Sequence, residues 1–127
     1  MIDGDCIVCG DKTMKVVATS GHTVGYMSFI FPVVEGEEEH MACIFGGATA
    51  PWGNDEGKEL QKESVLKYRK AAAEHHCDVA LSKHTAFDNG IERITYSQSR
   101  LAYLPNIYIL GEEGVQKFCE VYLSVLA

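Results

Sequence analysis

The sequence predicts an α/β chain in which a block of strands precedes a block of helices. Three observations carry that prediction. Short apolar, β-branched and aromatic runs fill Cys6 to Phe45, separated by Gly-Asp, Ser-Gly and a glutamate-rich turn, which is the pattern of strands. Beyond 46–54 the hydrophobic period changes from two to about 3.6 residues, the period of a helix. Val79-Ala80-Leu81-Ser82 then follows the end of that helical pattern directly, and a run of small and apolar residues in that place is a short buried strand. With 127 residues the chain is expected to be a single domain, 1–127.

The elements follow in order. Strands are expected near 6–9, 13–19, 26–34 and 41–46. The run Glu35-Gly36-Glu37-Glu38-Glu39-His40 is expected as an exposed hairpin loop, because four carboxylates cannot be buried together without partners. From Lys58 to His76, Leu60, Val65, Tyr68, Ala71 and Ala72 fall on one side of a helical wheel, so an amphipathic helix packs on the sheet through them. After the short strand a helix is expected over about 88–103, stopped before Pro105. The last helix, 112–126, places Val115, Phe118, Cys119, Tyr122 and Leu126 on one face, which makes Cys119 a core residue.

Composition narrows the classes of function. Eleven Lys and Arg against 18 Asp and Glu give a formal net charge of −7, so the chain offers little to neutralise a run of phosphates, and neither nucleic acid nor an anionic membrane is an expected partner. No apolar run approaches the roughly 18 residues that span a bilayer. Met1-Ile2-Asp3-Gly4-Asp5 lacks the basic start and apolar stretch of a signal peptide. Five cysteines, an odd number in a chain long enough to form a core, do not imply a disulfide framework. Cys6-Ile7-Val8-Cys9 reads as part of a strand, since no second pair stands at zinc-ribbon distance. A bridge between Cys77 and Cys119 is neither required nor excluded by their spacing.

The histidines differ in setting. His75 and His76 end a helix, where the macrodipole favours a protonated imidazole facing water, and His40 belongs to the acidic hairpin. His22 and His84 each stand just past a strand. His22 has Gly21 and Gly25 on either side, which let the backbone turn and bring the ring to the sheet edge. Side chains at the carboxyl ends of strands line the usual crevice of an α/β sheet, so two such histidines can converge on a metal.

At these residues the chain resembles a known family. SGHTVGYMSFIFPV, CIFGGATAP, YRKAAAEHHCDVALSKH and the closing PNIYILGEEGVQKFCEVYL look like the C-terminal half of a metallo-β-lactamase-fold hydrolase. The likeness is greatest to the metallo-β-lactamase subclass whose two zincs are held by histidine and aspartate without cysteine. It runs over nearly the whole chain in the right order. It implies an αβ/βα sandwich of which this chain supplies one layer, a mixed β-sheet with helices packed on one face. His22 resembles the family's third ligand on the first zinc, and His84 the distal histidine on the second. In the intact family, zinc brings the pKa of a bound water near neutrality, and the resulting hydroxide attacks a lactam, ester or similar carbonyl of a small-molecule substrate.

The departures count as much as the matches. The family's H-x-H-x-D-H signature is absent, and His75-His76 does not replace it, because adjacent helical residues point about 100° apart. Many relatives carry a bridging aspartate after the strand that here ends at Phe45, where this chain has Gly46 and Gly47. The chain is therefore expected to be a fragment that lacks activity by itself, its parent a zinc hydrolase carrying two zincs. Exported relatives imply an exported parent. The alternative expectations are a non-catalytic half-fold module, or a parent acting on a lactone, thioester or phosphodiester. Without its other layer the sheet is expected to expose Met27, Phe29, Phe31 and Ile44, favouring a homo-oligomer or pairing with the missing N-terminal half. Trp52 either flanks a substrate or packs.

Overall fold

The computed structural model describes residues 1–20, 25–47 and 53–126, with Phe87 described by its backbone alone. Five strands, β1 (Cys6–Cys9), β2 (Lys12–Ala18), β3 (Met27–Glu35), β4 (Glu38–Ile44) and β5 (Val79–Leu81), form one sheet in the order β1-β2-β3-β4-β5. The first four are joined antiparallel and β5 adds parallel to β4, so the sheet is mixed, as expected. Helix α1 (Asp55–Glu74) makes the crossover that a parallel pair needs. Helices α2 (Thr85–Asp88), α3 (Gly90–Ser99) and α4 (Gly111–Leu126) follow. No helix among the described residues is long and apolar enough to cross a membrane.

The core lies between one sheet face and the helices α1 and α4. Val17, Ile30, Cys43 and Phe45 from the sheet meet Val65, Tyr68 and Ala72 of α1 and Val115, Cys119 and Leu126 of α4. Phe45 stands between two rings, its centroid 5.1 Å from Tyr68 and 5.5 Å from Tyr122. Tilted aromatic pairs of this kind each add about 0.5–1.5 kcal/mol beyond their buried area. The buried face of α4 is the one its spacing indicates: Val115, Cys119 and Leu126 are buried, and Phe118 and Tyr122 pack beside them.

Four expectations are corrected. The glutamate-rich run is not a loop: the β3–β4 ladder continues to Glu35 opposite Glu38, and only Gly36 and Glu37 turn. Gly36 supplies the left-handed backbone, φ 61°, at that turn. The carboxylates tolerate strand positions because cations meet them, Arg100 at 3.0 Å from Glu35 and Lys12 at 3.7 Å from Glu39. Helix α1 begins three residues before Lys58, where the Asn54 side chain accepts the Gly57 N–H at 3.0 Å. Its buried face turns away from Leu60, which is 40% exposed, toward Gln61 and Ser64. The single helix expected over 88–103 is broken at Asn89, whose left-handed backbone (φ 52°, ψ 43°) separates α2 from α3. The second piece stops at Ser99 because Arg100 is extended.

Met27, Phe29, Phe31 and Ile44 lie on the sheet face that α1 and α4 leave uncovered, alternating with the buried Ser28, Ile30 and Cys43. They are half-buried rather than fully exposed.

Candidate functional site

The sheet topology gathers four chain segments at one edge. Strands β2, β4 and β5 all run toward it, and β3 starts there. Thr19 and Ser20, Gly25 and Tyr26, Phe45 to Gly47, and Ser82 to His84 therefore share the carboxyl edge of the sheet, the usual place for a site on an α/β sheet.

Among the described residues, the four fully or nearly fully buried polar side chains, Thr19, Ser28, Gln61 and Ser64, all bond groups at this edge. The Thr19 hydroxyl lies 2.7 Å from that of Ser28 and 3.3 Å from the Gly46 carbonyl, and the Gly46 N–H donates to Ser28 Oγ at 2.9 Å. With Thr19 donating to Gly46 and Ser28 donating to Thr19, every hydroxyl proton in this group is placed. Gln61 Nε2 donates to the Gly47 carbonyl at 2.6 Å and to Tyr122 Oη at 2.7 Å. Ser64 donates to the Ser20 carbonyl. Helix α1 and the start of β3 thus grip Ser20, Gly46 and Gly47, the described residues that precede 21–24 and 48–52. Buried polar groups are costly unless paired, and each of these side chains bonds backbone at the ends of strands, although Gln61 Oε1 finds no partner among the described residues.

The Gly46-Gly47 pair is required sterically. A Cβ on Gly46 would stand 2.0 Å from the Met27 carbonyl oxygen, so no side-chain ligand fits at that position. Gly47 has φ 88°, and a Cβ there would come within 3.1 Å of the Tyr26 ring.

His84 lies at this edge, exposed, at the residue preceding α2. Its backbone is shaped by Ser82, whose hydroxyl oxygen accepts the His84 N–H at 3.1 Å and donates to the His84 carbonyl at 3.1 Å. His22 and Trp52 lie outside the described residues. Among the described residues no group of three or more His, Cys, Asp and Glu could hold a metal ion. His84 by itself does not make a zinc site, and it is the one residue of the expected ligand pair that lies among the described residues.

The remaining histidines lie elsewhere. His40 sits at the opposite end of β4, bonded to Asp78, and is not part of a solvated loop. His75 donates from Nδ1 to the Ala71 carbonyl at 2.9 Å. His76 faces water, as expected, 2.9 Å from Glu112. Lys83 and Tyr26 escaped the sequence reading. The Lys83 ammonium stands 4.8 Å from the centroid of the Tyr26 ring, a contact between distant chain segments that no local motif announces.

A mixed sheet with its carboxyl edge so furnished, and helices on one face, defines an α/β half-sandwich. The chain's fold is that of the C-terminal half of a metallo-β-lactamase. No protein-family model matches the sequence, and no curated protein matches it. Among solved structures it is similar to the FEZ-1 metallo-β-lactamase of Legionella gormanii, with a TM-score of 0.76 and 17% identity over 98% of this chain and 47% of the other. BJP-1, a subclass B3 metallo-β-lactamase of Bradyrhizobium japonicum, gives a TM-score of 0.71 and 22% identity over 98% and 47% of the two chains. LRA-12, a class B3 di-zinc metallo-β-lactamase from an Alaskan soil metagenome, gives 0.64 and 14% over the same shares. The chain spans about half the length of the structures it matches.

Proposed function

We propose that this chain is one layer of a hydrolase of metallo-β-lactamase type, acting on a lactam, ester or similar carbonyl of a small-molecule substrate. The observation that carries the reading is the likeness of fold over 98% of the chain to enzymes of that kind, with His84 at the carboxyl edge of the sheet. In this proposal His22 and His84 each give one ligand to a zinc pair, and the other ligands come from a complementary layer. By itself the chain lacks activity, since a catalytic zinc takes three protein ligands. The half-buried apolar face of Met27, Phe29, Phe31 and Ile44 supports a complementary layer packed there, with a second copy of the chain as the alternative occupant. An exported parent fits this class.

The test is a zinc titration of the chain followed on the imidazole signals of its five histidines. His22 and His84 are expected to respond at lower zinc than His40, His75 and His76, and His22→Ala and His84→Ala each to remove the response of the substituted position while leaving that of His40, His75 and His76 unchanged. A first response at His75 or His76, or none at His22 and His84, refutes the ligand assignment. Zinc-dependent turnover of a lactam or lactone by the chain alone, lost in His22→Ala, refutes the half-site.

A further inference from the structure

Lys15 breaks the pattern of its own strand. Side chains alternate along β2, so Lys15 shares the face of Val17, a core residue, and its partner across the ladder is the buried Ile30. A half-buried cation on a core-facing position is costly to desolvate unless a carboxylate meets it. Eight of the eleven Lys and Arg residues form ion pairs with carboxylates among the described residues. Lys15 forms none there, although the chain carries 18 Asp and Glu.

Lys15 borders a cavity of about 250 Å³ between β2, the segment Asp3-Gly4 and the second half of α1. Lys67, Lys70 and Glu74, spaced by three and four residues along one face of α1, line its other side together with His75. The two carboxylates of the cavity already have partners. Asp3 Oδ2 lies 2.8 Å from the Lys67 ammonium while its Oδ1 accepts the Ala18 N–H at 2.8 Å, and Glu74 lies 3.9 Å from Lys70. The Lys67 bond, then the Ala18 N–H and the charges of Lys67 and Lys15, hold the Asp3 carboxyl below its usual value, so the Lys15 charge is felt in the same cavity. Counting the pairs leaves the Lys15 charge uncompensated, and a protonated His75 adds to it. On a chain of net charge −7 the cavity is therefore a local positive site. It is not part of the carboxyl edge around His84, since β3 and β4 stand between β2 and β5.

We infer that Lys15, with Lys67 and Lys70, forms a binding site for a small tetrahedral oxyanion, a phosphate group. The site is distinct from the one in the hydrolase reading and does not depend on it. Ammonium groups reach the cavity from the strand beneath and from the helix beside it, and each donates charge-assisted hydrogen bonds. A phosphate offers acceptor oxygens in several directions and carries a charge of about −1.5 to −2 near neutral pH, whereas a carboxylate has its acceptors in one plane. The bound anion supplies the countercharge that the fold withholds from Lys15.

The experiment titrates inorganic phosphate and glycerol phosphate into the chain at constant ionic strength, with acetate and chloride as comparison anions, and follows the amide signals of Gly4, Val16 and Ala71. Saturable shifts with inorganic phosphate alone assign the site to the free anion, and saturable shifts with both assign it to a phosphate group on a larger molecule. Lys15→Gln is expected to weaken binding about tenfold, the loss of one charge-assisted bond, and Lys15→Arg to retain it. Asp3→Asn keeps an acceptor for the Ala18 N–H but removes a negative charge from the cavity, and is expected to tighten binding about threefold. Lys15→Met separates binding from folding: it is expected to lose phosphate yet to melt, without phosphate, no lower than wild type, because no charge then stands on the core-facing side. The inference is overturned by an equal response to acetate or chloride, which marks an adventitious ion only, or by no saturable response to either phosphate. Unchanged binding in K15Q, weaker binding in D3N, or a K15M that melts below wild type overturns it as well.

Discussion

His40 Nδ1 stands 2.5 Å from Asp78 Oδ2 and ties the beginning of β4 to the residue that opens β5. Asp78 does more at the same point. Its other carboxylate oxygen accepts the Met41 N–H at 3.0 Å, and its carbonyl accepts the N–H groups of Leu110 and Gly111, where α4 begins. One aspartate thus joins two strands and a helix start. The bond to Asp78, aided by the Asp78, Glu38 and Glu35 charges, raises the His40 pKa above its usual 6.5 against the opposing effect of burial. A raised folded-state pKa means that the protonated pair stabilises the fold fully below pH 6.5 and that this contribution is lost as pH rises through the folded value.

The expected outcome is a Tm advantage of wild type over His40→Gln that is largest near pH 6 and shrinks toward pH 9. Thermal melts followed by circular dichroism across that range measure it. Parallel pH profiles for the two proteins would falsify the assignment.

Gly46 admits no side chain, because its added Cβ would stand 2.0 Å from the Met27 carbonyl oxygen and 2.7 Å from its carbon. Backbone cannot move aside as a flexible side chain does. Gly46→Ala is therefore expected to cost at least about 1–3 kcal/mol, the usual penalty of overpacking, and Gly46→Asp more. Urea unfolding gives the number, and a loss below about 0.5 kcal/mol would contradict this steric account. The same clash leaves no room for a carboxylate at position 46.

The five cysteines divide by exposure. Cys6 and Cys9 are exposed on β1, whereas Cys43, Cys77 and Cys119 are buried, and burial pushes the Cys119 thiol up to about 12. A disulfide reagent at neutral pH is expected to consume two thiols at once and the other three only after guanidinium unfolds the chain. Rapid reaction of all five would show that the core opens readily.

Much of the architecture is legible in the sequence. Alternating apolar residues marked the first four strands, the 3.6-residue period marked α1 and α4, and Val115, Cys119 and Leu126 were placed in the core by their spacing alone. These signals are local, and burial of one face enforces them. The order of segments also carried the likeness to half of a metallo-β-lactamase fold, which the solved structures share. Leu60 shows the limit of periodicity: it satisfies the apolar stripe, yet 40% of it is exposed because Gln61, a polar residue, takes the inward position.

Tertiary structure alone decided the rest. Asn89 divides a helix that its neighbours' pattern would continue, since its left-handed backbone is one residue's conformation and not a periodicity. Glu35 and Glu38 stay in the ladder because Gly36 turns tightly between them and Arg100, far along the chain, meets Glu35. Thr19, Gln61 and Ser64 are buried with backbone carbonyls at the sheet's carboxyl edge accepting from them, and Ser28 accepts the Gly46 N–H there. The sequence by itself determined which stretches alternate and which wind, and which histidines follow strands. Which groups meet at the edge, Lys83 over Tyr26 and Tyr26 against Gly47, was decided by the antiparallel and parallel registers that bring distant strand ends together.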